Sequence, residues 1–287
     1  MAEIDSPPAQ RVSFYFSAHE DDWQLFMNPS AFRDVNDGGT KAAFVHVTAG
    51  DAGLGAGSGG RKHPYYLARE HGAVSAIRFM ADSNNRAPTE ATAAPTTFNA
   101  HPIYRVAYRN TVAYFLRLPD GGPAGDGYPD TGNQSLKRLA EGRISALTAI
   151  DGTATYPGWG DLVVTLRGIL DFERGAADLT DLHVPDLDPV INPDDHPDHV
   201  MTAKLALAAA DGLSGARLLH HPGYACGAQP ESLSGYDRDM KCAVYAVTVA
   251  GVMAFDHAMF WQHYVQAFVG RDCCRSAMAR ECGRLDP

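Results

Sequence analysis

The chain reads as an α/β fold, a mainly parallel sheet with helices on both faces and long loops at the C-terminal edge of its strands. Three observations predict it. Short runs rich in Val, Phe and Tyr alternate with longer segments whose apolar residues recur every three or four positions. Stretches dense in Gly, Pro and Asp separate them, above all 54–60 and 119–133. The reactive residues bunch just after apolar runs, at the strand ends where open α/β sheets gather ligands. No repeat or composition break divides the chain. A single domain over 1–287 is therefore expected, with its core at about 11–270 and a polar, Cys-containing tail at 271–287.

Arg11 to Ser17 is a Val/Phe/Tyr-rich first strand, and Asp21-Asp22 opens a helix whose N-terminus favours their charge. Ala42 to Thr48 is a second strand that ends in the turn Ala49-Gly50-Asp51. The glycine-rich run Leu54 to Gly60 lacks the Lys-Ser/Thr of a phosphate-binding loop, so no nucleotide is expected there. Tyr65 to Ala76 has helical spacing, a third strand is expected at about Ser75 to Met80, and Asp82 to Pro95 reads as loop. Ile103 to Leu118 is one long strand or a hairpin, and Leu136 to Leu147 a helix. Tyr156 to Asp161 is a turn, Asp161 to Phe172 a helix, and Asp178 to Asp188 holds a strand. Val200 to Ala210 is helical, Arg217 to His220 is a strand, and Lys241 to Val269 is helical with a break near Asp256.

Composition narrows the function. A formal net charge of −10 argues against a nucleic-acid-binding surface. No apolar run reaches the roughly 18 residues of a membrane span, and Met1 to Gln10 lacks the basic start and apolar core of a signal peptide. A cytoplasmic location is expected. The five cysteines are odd in number and clustered late, which suits free or locally paired thiols; a Cys226–Cys242 or Cys273–Cys282 bridge is compatible with the spacing.

Two clusters carry the chemistry. His19-Glu20-Asp21-Asp22 puts an imidazole and three carboxylates at the end of the first strand. Such a group is costly to fold unless something cationic neutralises it, and a divalent metal does so most simply. Asn192 to His199 is the second cluster, with His196 and His199 at the head of a helix. Alone, either is also an ordinary acidic helix cap. Together, the two loops can supply His19, Asp22 and one late histidine, the two-imidazole, one-carboxylate set of a hydrolytic zinc site. Asp21 then suits a general base and the other late histidine an acid or oxyanion donor. A metal-dependent phosphoesterase fits less well, because little Lys or Arg lies nearby, and a non-catalytic sugar-binding protein would not need the base. His101, His220 and His221 have no partner at ligand spacing, and His257 and His263 lie on an apolar helix, so all five read as structural.

His19-Glu20-Asp21-Asp22 resembles the AHPDDE motif of the LmbE/PIG-L family of zinc-dependent N-acetylglucosaminyl deacetylases, and His196-Pro197-Asp198-His199 resembles its HPDH motif. Thr48 to Asp51 is similar to the family's turn after the second strand, and Arg69-Glu70 to its Arg/Glu helix. The resemblance spans residues 12–210 and implies a Rossmann-like sheet. It also implies one Zn2+ per chain on His19, Asp22 and His199, with Asp21 as base and His196 as the acid or oxyanion group. The implied reaction removes the N-acetyl group from an amino sugar.

Glu20 stands where the family has Pro, and Trp23 where it has Glu. Trp23 would set an apolar surface beside the metal, similar to the branch acting on glycopeptide antibiotic intermediates, the teicoplanin-type pseudoaglycones. On that reading Trp23, Phe98, Tyr128, Tyr156 and Trp159 would cover an aromatic aglycone. Arg69 is either a solvated or ion-paired helix residue or a substrate contact. The expected partner is a small molecule or glycopeptide carrying N-acetylglucosamine.

Overall fold

The computed structural model describes residues 9–83 and 89–276; part of the expected 82–95 loop and the tail with Cys282 lie outside them. In chain order the elements are β1 (Arg11–Ser17), α1 (Asp22–Phe26), α2 (Ser30–Asn36), β2 (Thr40–Thr48), α3 (Tyr65–Asp82), β3 (Thr92–Phe98), β4 (His101–Tyr108) and β5 (Thr111–Leu118). Then come α4 (Leu136–Ala140), β6 (Leu147–Thr148), β7 (Thr155–Tyr156), α5 (Trp159–Arg174), β8 (Leu179–Pro185), α6 (Pro197–Ala210) and β9 (Ala216–His221). The chain closes with α7 (Gly235–Ala254), α8 (Gln262–Tyr264), a π-helical turn Val265–Val269, and β10 (Arg275–Ser276).

The described residues form an eight-stranded sheet in the order β10-β9-β8-β1-β2-β5-β4-β3. β9, β8, β1, β2 and β5 run parallel, while β10 and the β3–β4 pair add antiparallel edges. This is the expected mainly parallel α/β sheet. After β2 the chain crosses to the far edge and builds back inward through β3, β4 and β5, and it then passes to the other side of β1 and builds outward through β8, β9 and β10. The strand order therefore reverses beside β1, the place where such sheets open a crevice.

Strand alternation supplies both faces. Val12, Phe14 and Phe16 of β1, with Ala43, Val45 and Val47 of β2, enter one core against α5 and α6. Tyr15, Ala42 and Phe44 point the other way, into a core closed by α1, α2, α3 and α7. Each buried Phe or Leu contributes roughly 1.5–3 kcal/mol against leaving it exposed. Trp23 belongs to the second core: it is fully buried, with its ring 4.7 Å from that of Phe44.

Several elements differ from the sequence reading. The expected strand at 75–80 is the last part of α3, because Ala76, Ile77 and Met80 continue one buried stripe at helical spacing. The real β3 falls partly in the segment read as loop; it is mostly exposed, so burial gives it no alternating signature. Ile103 to Leu118 is a hairpin that turns at Arg109-Asn110. The helix expected over 136–147 stops at Ala140, and Leu147 instead pairs with Tyr156. α7 starts before Lys241 and ends near the expected break, where Asp256 has φ of 65°.

The cysteine reading also changes. Cys226 and Cys273 form a disulfide, a pairing other than the two the spacing suggested, and Cys242 and Cys274 are free thiols. The bridge closes a separation of 47 residues, which corresponds to about 4 kcal/mol of lost unfolded-chain entropy. α3 and α7 pack backbone to backbone: a Cβ on Gly72 would come within 2.7 Å of the Thr248 carbonyl, and one on Gly251 within 2.8 Å of the Gly72 Cα. Among the described residues no helix is long and apolar enough to cross a membrane.

Candidate metal centre

The centre forms where the loops after β1, β5 and β8 meet at the strand ends. The β1 loop is anchored first. The Ala18 carbonyl accepts from the Thr48 backbone N–H at 2.9 Å and from its hydroxyl at 2.7 Å, which ties the end of β1 to the end of β2. Asp22 then folds back at the start of α1, and its Oδ2 accepts from the His19 backbone N–H at 2.8 Å. That bond turns the other carboxylate oxygen toward the imidazole, with Oδ1 3.6 Å from His19 Nδ1.

The second histidine arrives on the first turn of α6. Pro197 at the first helical position and His196 as N-cap set its start. The Asp195 Oδ1 accepts from His199 Nδ1 at 2.9 Å, leaving Nε2 to face the Asp22 Oδ1 at 3.3 Å. Asp195 is fixed in turn by the Asn192 amide at 2.8 Å, and Asn192 accepts from the Gly223 N–H. A carboxylate that orients a ligating imidazole is a recurrent feature of metal sites.

His19, Asp22 and His199 therefore bring one donor atom each to within 4.8 Å of one another, and all three residues are buried. His19, Asp120, His196 and Asp198 meet the same test, so the two sets share His19. The Nε2 atoms of His19 and His199 and the Oδ1 of Asp198 are buried without hydrogen-bond partners. Orphaned imidazole nitrogens facing carboxylates in a buried cluster fit a divalent cation, so these groups could hold a metal ion.

The electrostatics agree. Burial opposes a charge on His199, but the Asp22 and Asp195 carboxylates outweigh it and push the imidazole up to about 10. Burial likewise opposes a charge on His19, and Asp22 together with Asp198 and Asp120 drives it well above its ordinary range. Burial would raise Asp22, yet the two imidazoles hold it well below the usual carboxylate range. Without metal, protons take the cation's place. The raised His199 stabilises the metal-free fold fully below about pH 6.5, its unfolded value, and that stability is lost as pH climbs through about 10. Metal binding near pH 7.5 should thus release protons, and affinity should rise with pH across that window. Calorimetric titration of zinc in two buffers of different ionisation enthalpy checks this: equal apparent enthalpies would rule the proton release out.

Comparison with protein-family models and with characterised proteins finds no significant match to this chain.

The other residues singled out in the sequence fall into two groups. Asp21 is buried and ion-paired to Arg69 through Oδ1, and Glu20 lies 3.0 Å from the same guanidinium. Arg69 also donates to the Gly50 carbonyl at 3.2 Å. Gly50 has φ of 49°, and a Cβ there would come within 2.6 Å of Glu20, so this turn admits no side chain. Arg69 is thus ion-paired and holds both carboxylates. Burial pushes Glu20 up to about 8, with Arg69 pulling the other way. His196 accepts from the Asp198 N–H on its own Nδ1 at 3.2 Å, which leaves Nε2 as the protonated nitrogen of the neutral ring. Burial and the neighbouring His19 charge hold His196 below its ordinary value, so it stays neutral.

Of the five rings named for the aromatic cover, four pack in or on the cores, whereas Tyr128 is half-buried in the 119–133 loop, against Gly53 and Gly122. Trp23 is core and cannot meet a ligand. Phe98 is buried against Tyr114 and Phe172, Tyr156 is fully buried, and Trp159 packs on the same core. Aromatic residues between polar stretches read as exposed in sequence, but here they close the ends of the cores.

Sequence reasoning gave Asp120 no role. It sits in the long 119–133 loop, with Oδ2 4.0 Å from His19 Nε2. Asp51 accepts from the Asp120 N–H at 3.0 Å, and Asp120 accepts from Ala52 at 3.3 Å, so the two loops hold each other. The signal was the Pro-Asp-Gly-Gly directly after an apolar strand. Asp195 was visible in the second cluster but carried no assigned role. Asp195→Asn should weaken zinc affinity by roughly 10–100-fold with the fold intact; competition against a chelating dye measures it, and an unchanged affinity would remove Asp195 from the site.

Proposed function

We propose that the protein is a zinc-dependent hydrolase that removes the acetyl group from an N-acetylglucosamine unit carried on a larger conjugate. The observation that carries this reading is the buried pair of orphaned imidazole nitrogens, His19 Nε2 and His199 Nε2, arranged with Asp22 at the sheet's switch point. His19, Asp22 and His199 would hold the zinc, which when bound would supply a Lewis acid for the acetamide carbonyl and a more acidic water. Asp21 takes the proton of the attacking water, and Arg69 fixes its carboxylate in direction. The Nε2–H of His196 donates to the oxyanion as it develops. The proton gained by Asp21 is then available to the leaving amine.

Incubating zinc-loaded protein with N-acetylglucosamine, N-acetylglucosaminyl inositol and N-acetylglucosaminyl glycopeptides tests this by mass spectrometry. Acetate should appear and one conjugate should lose an acetyl group. No release from any of them, with zinc bound, would overturn the deacetylase reading. A two-cation hydrolase has one observation in its favour, the two donor sets sharing His19. Elemental analysis separates the readings: one zinc per chain is expected, and two would favour the alternative.

A further inference from the structure

Beside the centre lies an aromatic surface that the proposed chemistry does not use. The Tyr224 ring lies nearly parallel to that of His199, with centroids 5.5 Å apart and an interplanar angle of 29°. Tyr224 follows directly on Gly223, whose N–H belongs to the Asn192–Asp195 support of that histidine. Next comes Tyr264, joined to Tyr224 through their hydroxyls; burial and the Asp21 charge hold the Tyr264 hydroxyl above its ordinary range. Phe260 meets Tyr264 edge to face at 5.9 Å, and Trp261 stacks on Tyr245 at 5.8 Å with 4° between the planes. The Tyr245 hydroxyl donates to the Phe260 carbonyl and fixes this corner.

The outer rings are open to solvent: Phe260 is 74% exposed, Tyr224 44% and Trp261 41%. Rings this exposed cost solvation, and their side-by-side placement at a buried reactive cluster favours a ligand that covers them. A membrane surface fits poorly, since the chain carries a formal net charge of −10 and anionic lipid would repel it. The surface is continuous with the ring that stacks on a proposed metal ligand, so its occupant is the far end of the molecule whose acetamide reaches the centre.

We infer that Tyr224, Tyr264, Phe260 and Trp261 form a substrate subsite for a planar aromatic group attached to the N-acetylated sugar. The inference rests on the deacetylase reading for the sugar end alone. It moves the aromatic contact from Trp23, Phe98 and Trp159, which pack in the cores, to the segment after α7.

The test compares the 4-nitrophenyl and methyl glycosides of N-acetylglucosamine on the zinc-loaded full chain, reading both binding and acetate release. The aryl glycoside should bind roughly tenfold more tightly, the scale of one or two added aromatic contacts. Phe260→Ala with Trp261→Leu should abolish that preference and leave the methyl glycoside's KM and kcat unchanged. Phe260→Ala alone, at the most exposed ring, should remove part of the preference even if the double variant folds poorly. Equal binding of the two glycosides by the parent protein would overturn the subsite, as would a preference that survives both variants. Variants that change only the oligomeric state would overturn it too, in favour of a second copy covering the face. Aryl-selective binding without acetate release would support the subsite while sinking the deacetylase reading.

Discussion

Asp22→Asn should empty the centre. Asp22 is the one carboxylate in the His19–Asp22–His199 set, and it lies within 3.6 Å of both imidazoles. An amide keeps the acceptor for the His19 N–H but loses the charge that draws a cation. Zinc affinity should fall by more than the roughly 10–100-fold of an outer-sphere change, and acetate release should fall with it. The metal-free fold should weaken as well. Asp22 is depressed in the folded state, so its contribution is present above the unfolded carboxylate value and disappears as pH falls below it. The variant should therefore lose thermal stability at pH 7 and differ little from the parent in strong acid. Elemental analysis after dialysis, with melting curves at both pH values, reads this out. A full equivalent of zinc retained by Asp22→Asn would remove Asp22 from the ligand set.

The second large effect separates chemistry from metal binding. Asp21→Asn should lower kcat by roughly 10²–10⁴-fold, the usual contribution of a general base, while zinc content stays at the parent level. Asp21 is absent from both donor sets, so no ligand is lost. Glu20, 3.0 Å from Arg69, and the Gly50 carbonyl still hold the guanidinium in place, and an amide keeps an acceptor for it, so the fold should hold. A loss of less than tenfold, with zinc bound, would leave Asp21 as Arg69's structural counterion and nothing more.

The candidate donor groups were legible because they cluster in sequence. His19 to Asp22 and His196 to His199 each occupy a few adjacent positions after an apolar run. Their distance from each other in the chain is removed by β1 and β8 pairing in parallel; the alternation of strands and helices foretold a parallel sheet but not which strands pair. Asp120 was not legible, because its place depends on its N–H bonding Asp51 and its carboxylate accepting from Ala52, across two glycine-rich loops. Such a contact leaves no periodicity behind. The aromatic residues were misplaced for a related reason: sequence shows a ring's neighbours in the chain but not which face of a sheet it closes. Trp23 next to Asp22 looked like part of the site, yet one position along the first turn of α1 was enough to aim it at Phe44. The end of α3 was lost because a short apolar run such as Ala76 to Met80 satisfies helix and strand alike.

The close contact of α3 and α7 has a consequence for anyone who would transplant this chemistry. Arg69, which holds Asp21, sits one turn before Gly72, and Gly72 lies against the Thr248 carbonyl and the Val252 side chain of α7. A graft of the histidines and carboxylates onto another parallel sheet would carry the whole candidate donor set and still misplace Asp21. The recipient would also need a pair of helices lying as close as two facing glycines allow. In this scaffold the direction of a carboxylate is set by two residues that have no side chains.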